Sequence, residues 1–213
     1  MKFLLVIMLL MFTVLSSDSS GQEKSTVASS PEEINPLKTG QSIPEVNIKN
    51  IKGESVSLNS IVSENPTILI FYRGGWCPYC NVHLSKLQEI ESELLALGFQ
   101  IIAISADSPE MLSETLDKNE LKFTLYSDNE SAASTAFGLA FRVSDDYMEK
   151  LASYNIDLEG ATGNNDHILP VPAVYMLNTS GLIEFDYSNP DYKVRLDTGE
   201  LLAQAKTLQS GQK

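Results

Sequence analysis

Two cysteines that lie two residues apart, directly after an apolar run, constrain this chain more than any other feature. The run spans residues 67–72 and is typical of a buried strand, and the segment Trp76-Cys77-Pro78-Tyr79-Cys80 follows it. A helix that starts at this turn presents unpaired backbone N–H groups and the positive end of its dipole to the first thiol, which favours the thiolate. No other cysteine occurs in the 213 residues. The chain is therefore predicted to be a redox protein with its chemistry at one turn.

A purely structural disulfide is the simplest alternative for this pair. A disulfide stabilises a fold mainly by constraining the unfolded chain, and the effect grows with the length of the loop that it closes. Two intervening residues close almost no loop. We therefore favour a redox role.

The N-terminal residues have the pattern of an export signal. Lys2 is followed by an apolar run of about 13 residues, the length of a signal-peptide core and shorter than a membrane-spanning helix. We expect residues 1–17 to be a signal peptide, residues 18–40, rich in Ser, Glu, Lys and Pro, to be a disordered spacer, and residues 41–210 to form one domain. The protein is predicted to be exported, to the periplasm or another extracytoplasmic space. An uncleaved N-terminal membrane anchor is the alternative.

The charge of the chain limits its partners. The formal net charge is −13 at pH 7. An acidic surface repels nucleic acids and anionic membrane surfaces, so we expect neither a nucleic-acid partner nor a stable membrane partner.

Strand and helix patterns alternate along the predicted domain. Strands are expected at 67–72, 100–105 and 121–126, helices at 78–97, 109–118, 130–137, 147–154 and 198–208, a loop at 159–166, and a hairpin with strands 173–177 and 182–187. Gly98 is expected to end the first helix. Asp107 is expected to cap the helix that follows it, with a place near the cysteines as the alternative. This order predicts an α/β domain with a mixed central sheet flanked by helices.

The strand, the cysteine turn and the helix together form the arrangement found in thioredoxin. Pro78 suits the first helical turn, because it lacks an N–H and has a fixed φ. Cys80 then lies one turn further along, where it can attack a mixed disulfide at Cys77, or the reverse. Trp76 is expected to shield the disulfide and to shape partner docking.

Four segments together resemble the alkyl hydroperoxide reductase/thiol-specific antioxidant family, and in particular its peroxiredoxin-like branch with a Cys-x-x-Cys pair. They are residues 71–80, 104–107, 137–141 and 169–175. The resemblance covers about residues 40–209 and implies a thioredoxin-like fold. It also implies a thiol-dependent peroxidase that reduces hydrogen peroxide or organic hydroperoxides, needs no cofactor or metal, and is reduced in turn by a thioredoxin-like or other thiol donor.

The resemblance assigns different roles to the two cysteines. It places the peroxide-attacking sulfur at Cys80 and leaves Cys77 to resolve the sulfenic acid into a disulfide. It also puts Cys77 where the family has threonine and Arg73 where it has proline, and the family's downstream arginine falls near Pro172. Arg73 could supply the positive charge that favours a thiolate, and a solvated loop arginine is the alternative.

Pro172 also carries a backbone prediction. In thioredoxin-like folds a cis-proline at this place often packs against the cysteine pair, so the resemblance implies a cis Val171–Pro172 bond. A plain proline at the entry to a strand is the alternative.

Two other functions are consistent with the residues. A thiol–disulfide oxidoreductase would use Cys77, expected to be the more exposed thiol, as its nucleophile and Cys80 as the resolving residue. A metal-binding module would combine both cysteines with His83 and His167, because thiolate and imidazole are ligands for zinc and copper.

Overall fold

The structure, a computed structural model, describes residues 26–211. The predicted signal peptide and residues 18–25 of the predicted spacer lie outside the described residues. No helix in the part that is described is long and apolar enough to cross a membrane. The described chain forms an α/β domain around a mixed sheet, as the sequence predicts.

The strands and helices of the described chain alternate through most of the domain. The strands are β1 (Asn47–Lys49), β2 (Ser55–Ser57), β3 (Thr67–Tyr72), β4 (Gln100–Ser105), β5 (Thr124–Ser127), β6 (Ala140–Arg142), β7 (Ile168–Pro170), β8 (Ala173–Leu177) and β9 (Ile183–Ser188). The helices are α1 (Leu58–Val62), α2 (Pro78–Ala96), α3 (Pro109–Asn119), α4 (Ala132–Ala136), α5 (Asp145–Ser153), α6 (Leu158–Thr162) and α7 (Thr198–Gly211), and a short 3₁₀ helix spans Pro31–Glu33.

The cysteine turn lies at the end of a central strand of the main sheet. Within residues 26–211 its strand order is β2-β1-β5-β4-β3-β8-β9. β3 is parallel to β4 and antiparallel to β8, and β4 is parallel to β5. β6 and β7 form a separate two-stranded sheet. Because β3 and β4 run in the same direction, the residues that follow both strands meet at the same edge of the sheet.

The two faces of β3 pack against different helices. Alternate side chains of a strand point to opposite faces, and all six residues of β3 are buried. Ile68, Ile70 and Tyr72 pack into a cluster with buried residues of α2, α3 and α7, and this cluster contains both cysteines. Leu69 and Phe71 pack on the other face with α1 and α4. The cysteine pair is thus part of the core under α2.

The ends of α2 agree with the prediction. The helix begins at Pro78 and buries Leu84, Leu87 and Leu94. Gly98 adopts a positive φ of 87°, and the N–H of Phe99 donates to the carbonyl of Leu94 across 3.1 Å. Such a glycine satisfies the last free carbonyls of a helix, so the predicted glycine stop is confirmed.

The segment after residue 153 differs from the prediction in one respect. The short helix α6 covers the first four residues of the loop predicted at 159–166. Its first turn is closed by the side chain of Asp157, which accepts from the N–H of Gly160 at 2.9 Å. Capping by an aspartate two residues before the predicted loop is a local interaction that the absence of apolar periodicity does not reveal.

The predicted disordered spacer differs from the structure over its described part. The N–H of Ala28 donates to the carbonyl of Ala140, and that of Leu37 to the carbonyl of Phe137. Close to the domain boundary, Asp186 accepts from the N–H of Thr39. Residues 28–40 are therefore ordered against the domain, because their backbone groups find partners there rather than in water.

The predicted cis Val171–Pro172 bond is wrong, since the residues that the structure describes contain no cis peptide bond. Pro172 is buried between β7 and β8. Here the chain runs from β7 directly into β8 through a trans peptide bond. The trans isomer of a bond to proline is favoured by about 0.5–1 kcal/mol. Pro172 therefore matches the alternative of a proline at a strand entry.

Candidate active site

The cysteine turn connects β3 to α2. The N–H of Cys77 donates to the carbonyl of Gly74, and the N–H of Cys80 donates to the carbonyl of Cys77 across 3.0 Å. Cys77 is the N-cap of α2, so Cys80 lies in its first turn. Both thiols are free and each residue is 1% exposed. The exposed fractions of the two cysteines are equal, so they do not identify Cys77 as the more exposed thiol.

Cys80 has a cationic partner that is distant in the sequence. The Nη2 of Arg195 donates to its Sγ at 3.2 Å. The Nε of the same guanidinium donates to the carbonyl of Tyr192 at 2.7 Å, which fixes its orientation. Arg195 lies between β9 and α7.

The environment of Cys80 stabilises its thiolate. Burial alone would raise the pKa of this thiol, but four other influences outweigh it. They are, in decreasing order, a hydrogen bond from the Cys77 thiol, the charge of Arg195, the backbone N–H of Arg73 and the charge of Arg73. The result is a pKa lowered to about 6, so Cys80 is mostly a thiolate at pH 7.

Cys77 is held in the opposite protonation state. Its thiol is the donor in the hydrogen bond to Cys80, and this bond is the largest cause of its raised pKa. Burial and the negative charge of Cys80 raise the pKa of Cys77 further, and the charge of Arg73 only partly offsets them. The reduced pair is thus one thiolate, Cys80, that accepts from one thiol, Cys77.

Arg73 is buried rather than solvated. It is 3% exposed, and its Nη2 donates to the hydroxyl of Tyr147 at 2.8 Å. Its guanidinium also lies over three aromatic rings, with its Cζ 4.3 Å from the ring centre of Tyr192, 4.8 Å from that of Trp76 and 5.4 Å from that of Tyr147. These rings hold a cation beside the cysteines, and no carboxylate within residues 26–211 forms an ion pair with it.

Asp107 lies behind the turn and does not cap α3. The N-cap of α3 is Ser108. The Oδ2 of Asp107 accepts from the N–H of Gly75 at 2.7 Å. Burial is the main cause of a pKa raised to about 7, and the charge of Cys80 adds to it. The less favoured interpretation, a place near the cysteines, is therefore the one that the structure supports.

The histidines of the proposed metal module do not form a cluster with the cysteines. His83 is buried one turn beyond Cys80 on α2, and burial is the main cause of its pKa being lowered to about 4. His167 instead contacts Glu159 of α6 at 2.7 Å. Across residues 26–211, no three His, Cys, Asp or Glu side chains are grouped so that they could hold a metal ion.

The sequence patterns place Trp76, Pro78 and Arg73 at this turn but do not include Arg195. The structure brings Trp76, Pro78 and Arg73 together at the turn, and the cation that touches Cys80 is Arg195, to which the sequence patterns assign no role. One signal was available: the chain has three arginines, and only Arg73 is near the cysteines in sequence. Considering each arginine as a partner for a thiolate would have included the correct one.

Known proteins resemble this chain over most of the domain. The model of the AhpC/TSA family matches residues 39–185. Peroxiredoxin Bcp of Escherichia coli (strain K12) is 33% identical over 106 residues, which are 50% of this chain and 67% of that protein. The chloroplastic peroxiredoxin Q of Populus jackii is 24% identical over 177 residues, 83% of this chain and 70% of that protein. The crystal structure of peroxidoxin BcpB from Mycobacterium tuberculosis has a TM-score of 0.62 at 16% identity, and the match covers 81% of this chain and 98% of that one. This last similarity confirms the predicted thioredoxin-like fold.

Proposed function

This chain belongs to the AhpC/TSA family and is a thiol-dependent peroxidase, and we propose that Cys80 attacks the peroxide while Cys77 resolves the product. The observation that carries this assignment is the hydrogen bond from Arg195 to the Sγ of Cys80. A thiolate, and not a thiol, is the nucleophile toward a peroxide. Of the two sulfurs, Cys80 is the one whose pKa is lowered.

The first step is attack of the Cys80 thiolate on one oxygen of the peroxide. The S–O bond forms as the O–O bond breaks, and the distal oxygen takes up a proton and leaves as water or an alcohol. Cys80 is thereby oxidised to a sulfenic acid. In this step negative charge moves from the sulfur to the leaving oxygen. The positive charges of Arg195 and Arg73 act on Cys80, and we expect them to stabilise this negative charge in the transition state.

The second step uses Cys77. Conversion of Cys80 to a neutral sulfenic acid removes the negative charge and the acceptor that raise the pKa of Cys77. Loss of the Cys77 proton then becomes easier, while the charge of Arg73 continues to favour its thiolate. The Cys77 sulfur attacks the Cys80 sulfur, hydroxide leaves with a proton as water, and a disulfide forms. A thioredoxin-like or other thiol donor then reduces this disulfide.

The alternative of a thiol–disulfide oxidoreductase requires Cys77 to attack first. The 23% identity over 103 residues to the thiol–disulfide oxidoreductase ResA of Halalkalibacterium halodurans is the observation in its favour. The 1% exposure and the raised pKa of Cys77 count against it, because a disulfide partner must reach a thiolate at the surface.

The proposal is tested by mixing the reduced protein with hydrogen peroxide in a stopped-flow instrument. Trp76 is the only tryptophan and lies at the turn, so its fluorescence reports oxidation of the pair. The proposal predicts a reaction much faster than that of free cysteine, with one disulfide formed per peroxide consumed. A rate no greater than that of free cysteine, together with rapid reduction of insulin disulfides, would favour the oxidoreductase instead.

A further inference from the structure

An open groove lies beside the cysteine pair on the side of Arg195. Its volume is about 470 Å³, within the range of sites that bind small molecules. Pro78 and Tyr79, the two residues between the cysteines, form one side of it, together with Val82. Tyr79 and Val82 are 47% and 58% exposed, so this side offers apolar surface to a ligand.

The other lining of the groove is basic. Lys86 on α2, Lys193 and Arg195 contribute three cations, and neither lysine makes an ion pair within the described chain. The groove contains one carboxylate, Asp197, whose Oδ1 accepts from the N–H groups of Gly199 and Glu200 at the start of α7. A protein with a formal charge of −13 therefore has a local site that attracts anions.

A buried polar group adds to this lining. His83 contributes to the groove and is 5% exposed, and its Nε2 has no hydrogen-bond partner. Burial is the main reason that the imidazole is neutral, and the charges of Arg195 and Lys86 contribute. A buried ring nitrogen without a partner is costly, and a ligand with a polar group that hydrogen-bonds to it would remove that cost.

We propose that this groove binds the small, carboxylate-bearing thiol that reduces the Cys77–Cys80 disulfide. The inference rests on the proposed function, because it assumes that turnover leaves this disulfide to be reduced. The lysines and Arg195 match carboxylates, and the side formed by Pro78 and Tyr79 places the rest of the ligand against the two residues that lie between the cysteines.

A small thiol fits these observations better than a donor of protein size. Each cysteine is 1% exposed and neither lines the groove, so a donor reaches a sulfur only when the turn opens, and a small thiol needs a smaller opening than a protein does. A molecule of the size of a tripeptide can occupy a groove of about 470 Å³. The groove therefore matches a ligand that is small, anionic and partly apolar.

The chemistry is two successive thiol–disulfide exchanges. The bound thiol loses its proton and attacks the Cys77 sulfur, the disulfide breaks, and Cys80 leaves as the thiolate that Arg195 stabilises. A second thiol loses its proton and attacks the ligand sulfur of the mixed disulfide, so that Cys77 is released. Two ligand thiols are oxidised to one disulfide, and their two electrons reduce the pair. One of the two protons goes to Cys77 and the other to solvent.

The test measures reduction of the disulfide form, prepared with diamide so that no peroxide is needed. The probes are glutathione, with two carboxylates, and glutathione with both carboxyl groups esterified, compared at equal thiolate concentration. For the wild type we expect glutathione to react about tenfold faster than its diester. The net negative charge of the protein acts in the opposite direction, because it attracts the positively charged diester. We expect the preference for glutathione to fall at high salt. Lys86→Gln/Lys193→Gln should abolish the preference. The control Lys52→Gln/Lys118→Gln removes the same charge from two other exposed lysines and should retain it.

Three results would overturn the inference: equal rates for the two thiols with the wild type, an unchanged preference in Lys86→Gln/Lys193→Gln, or a preference lost in both double variants. A separate experiment oxidises the reduced wild type with a carboxylate-bearing hydroperoxide and with its methyl ester. We expect equal rates, and a faster reaction of the acid would assign the groove to the oxidant instead. Failure of the proposed peroxidase function would be seen separately, as a slow reaction of the reduced protein with hydrogen peroxide. That result does not depend on which thiol reduces the disulfide faster.

Discussion

Arg195 donates a hydrogen bond to the Sγ of Cys80 at 3.2 Å, although 115 residues separate the two in the sequence. The turn after β3 supplies the sulfur, and the segment before α7 supplies the cation. α7 packs against α2 in the same hydrophobic cluster that contains both cysteines. Docking of the C-terminal helix therefore places Arg195 at Cys80, so the site depends on packing of the whole domain.

Replacement of Arg195 tests its role at Cys80. Arg195→Gln removes the charge and should raise the pKa of Cys80 toward that of an ordinary cysteine. A hydrogen bond to a charged group is worth about 1.5–3 kcal/mol, so the reaction with peroxide at pH 7 should slow by roughly tenfold to a hundredfold. The pKa is measured from thiolate absorbance at 240 nm and the rate by stopped-flow fluorescence.

Arg142→Gln is the matched control for this experiment. Arg142 is exposed and donates to the carbonyl of Asp166, so it holds a loop and not a sulfur. Its replacement changes the net charge by the same amount and should leave the pKa of Cys80 and the rate unaffected. Equal slowing by both variants would mean that net charge, rather than contact with Cys80, sets the reactivity.

The rate of peroxide consumption should depend on pH in the way that the Cys80 thiolate does. Because the pKa of Cys80 is lowered to about 6, the second-order rate should rise as pH increases through about 6 and level off above it. Asp107, whose pKa is raised to about 7, also loses its proton in this range, and its charge opposes that of Cys80. Single-turnover rates between pH 4.5 and 9 check this, and a rate that keeps rising beyond pH 8 would contradict the lowered pKa.

Gly75 is predicted to tolerate no side chain. A Cβ at this position would lie 1.8 Å from the Oγ1 of Thr115, so one of the two residues must move. Gly75→Ala should lower the free energy of unfolding by about 1–3 kcal/mol, and it should also slow the peroxide reaction because it displaces the N–H that binds Asp107. Urea denaturation measures the first effect and stopped-flow fluorescence the second.

Gly98→Ala provides the comparison for Gly75→Ala. Gly98 has nothing within 4 Å of its Cβ position, but its φ of 87° is unfavourable for alanine. We expect a loss of about 1–2 kcal/mol in stability with no change in the peroxide rate. If Gly98→Ala slowed the peroxide reaction as much as Gly75→Ala, the effect would come from lower stability and not from the turn.

The sequence was sufficient to predict the features that depend on local patterns. β3, β4 and α2 follow from apolar runs, and the stop at Gly98 follows from the glycine itself. Both cysteines, Trp76 and Pro78 lie together because they are neighbours in the chain. Such features depend on residues that are close in sequence, so they can be predicted from a single sequence.

The features that the sequence did not reveal depend on contacts between distant segments. Arg195 has no motif, and only the docking of α7 brings it to Cys80. Residues 28–40 lack an apolar period, yet their backbone groups pair with distant parts of the domain. The isomer of the Val171–Pro172 bond was inferred from the resemblance alone, and the structure has the other isomer.

The most direct test of the central claim compares Cys77→Ser with Cys80→Ser. Each reduced variant is mixed with one equivalent of hydrogen peroxide and then with dimedone, and mass spectrometry locates the trapped sulfenic acid. The account predicts that Cys77→Ser accumulates a sulfenic acid at Cys80 and reacts much faster than free cysteine, because Arg195 and Arg73 remain and the serine hydroxyl can donate to Cys80 in place of the thiol. Cys80→Ser should react no faster than free cysteine. Rapid formation of a sulfenic acid at Cys77 in Cys80→Ser, with little reaction in Cys77→Ser, would contradict the assignment of Cys80 as the attacking sulfur.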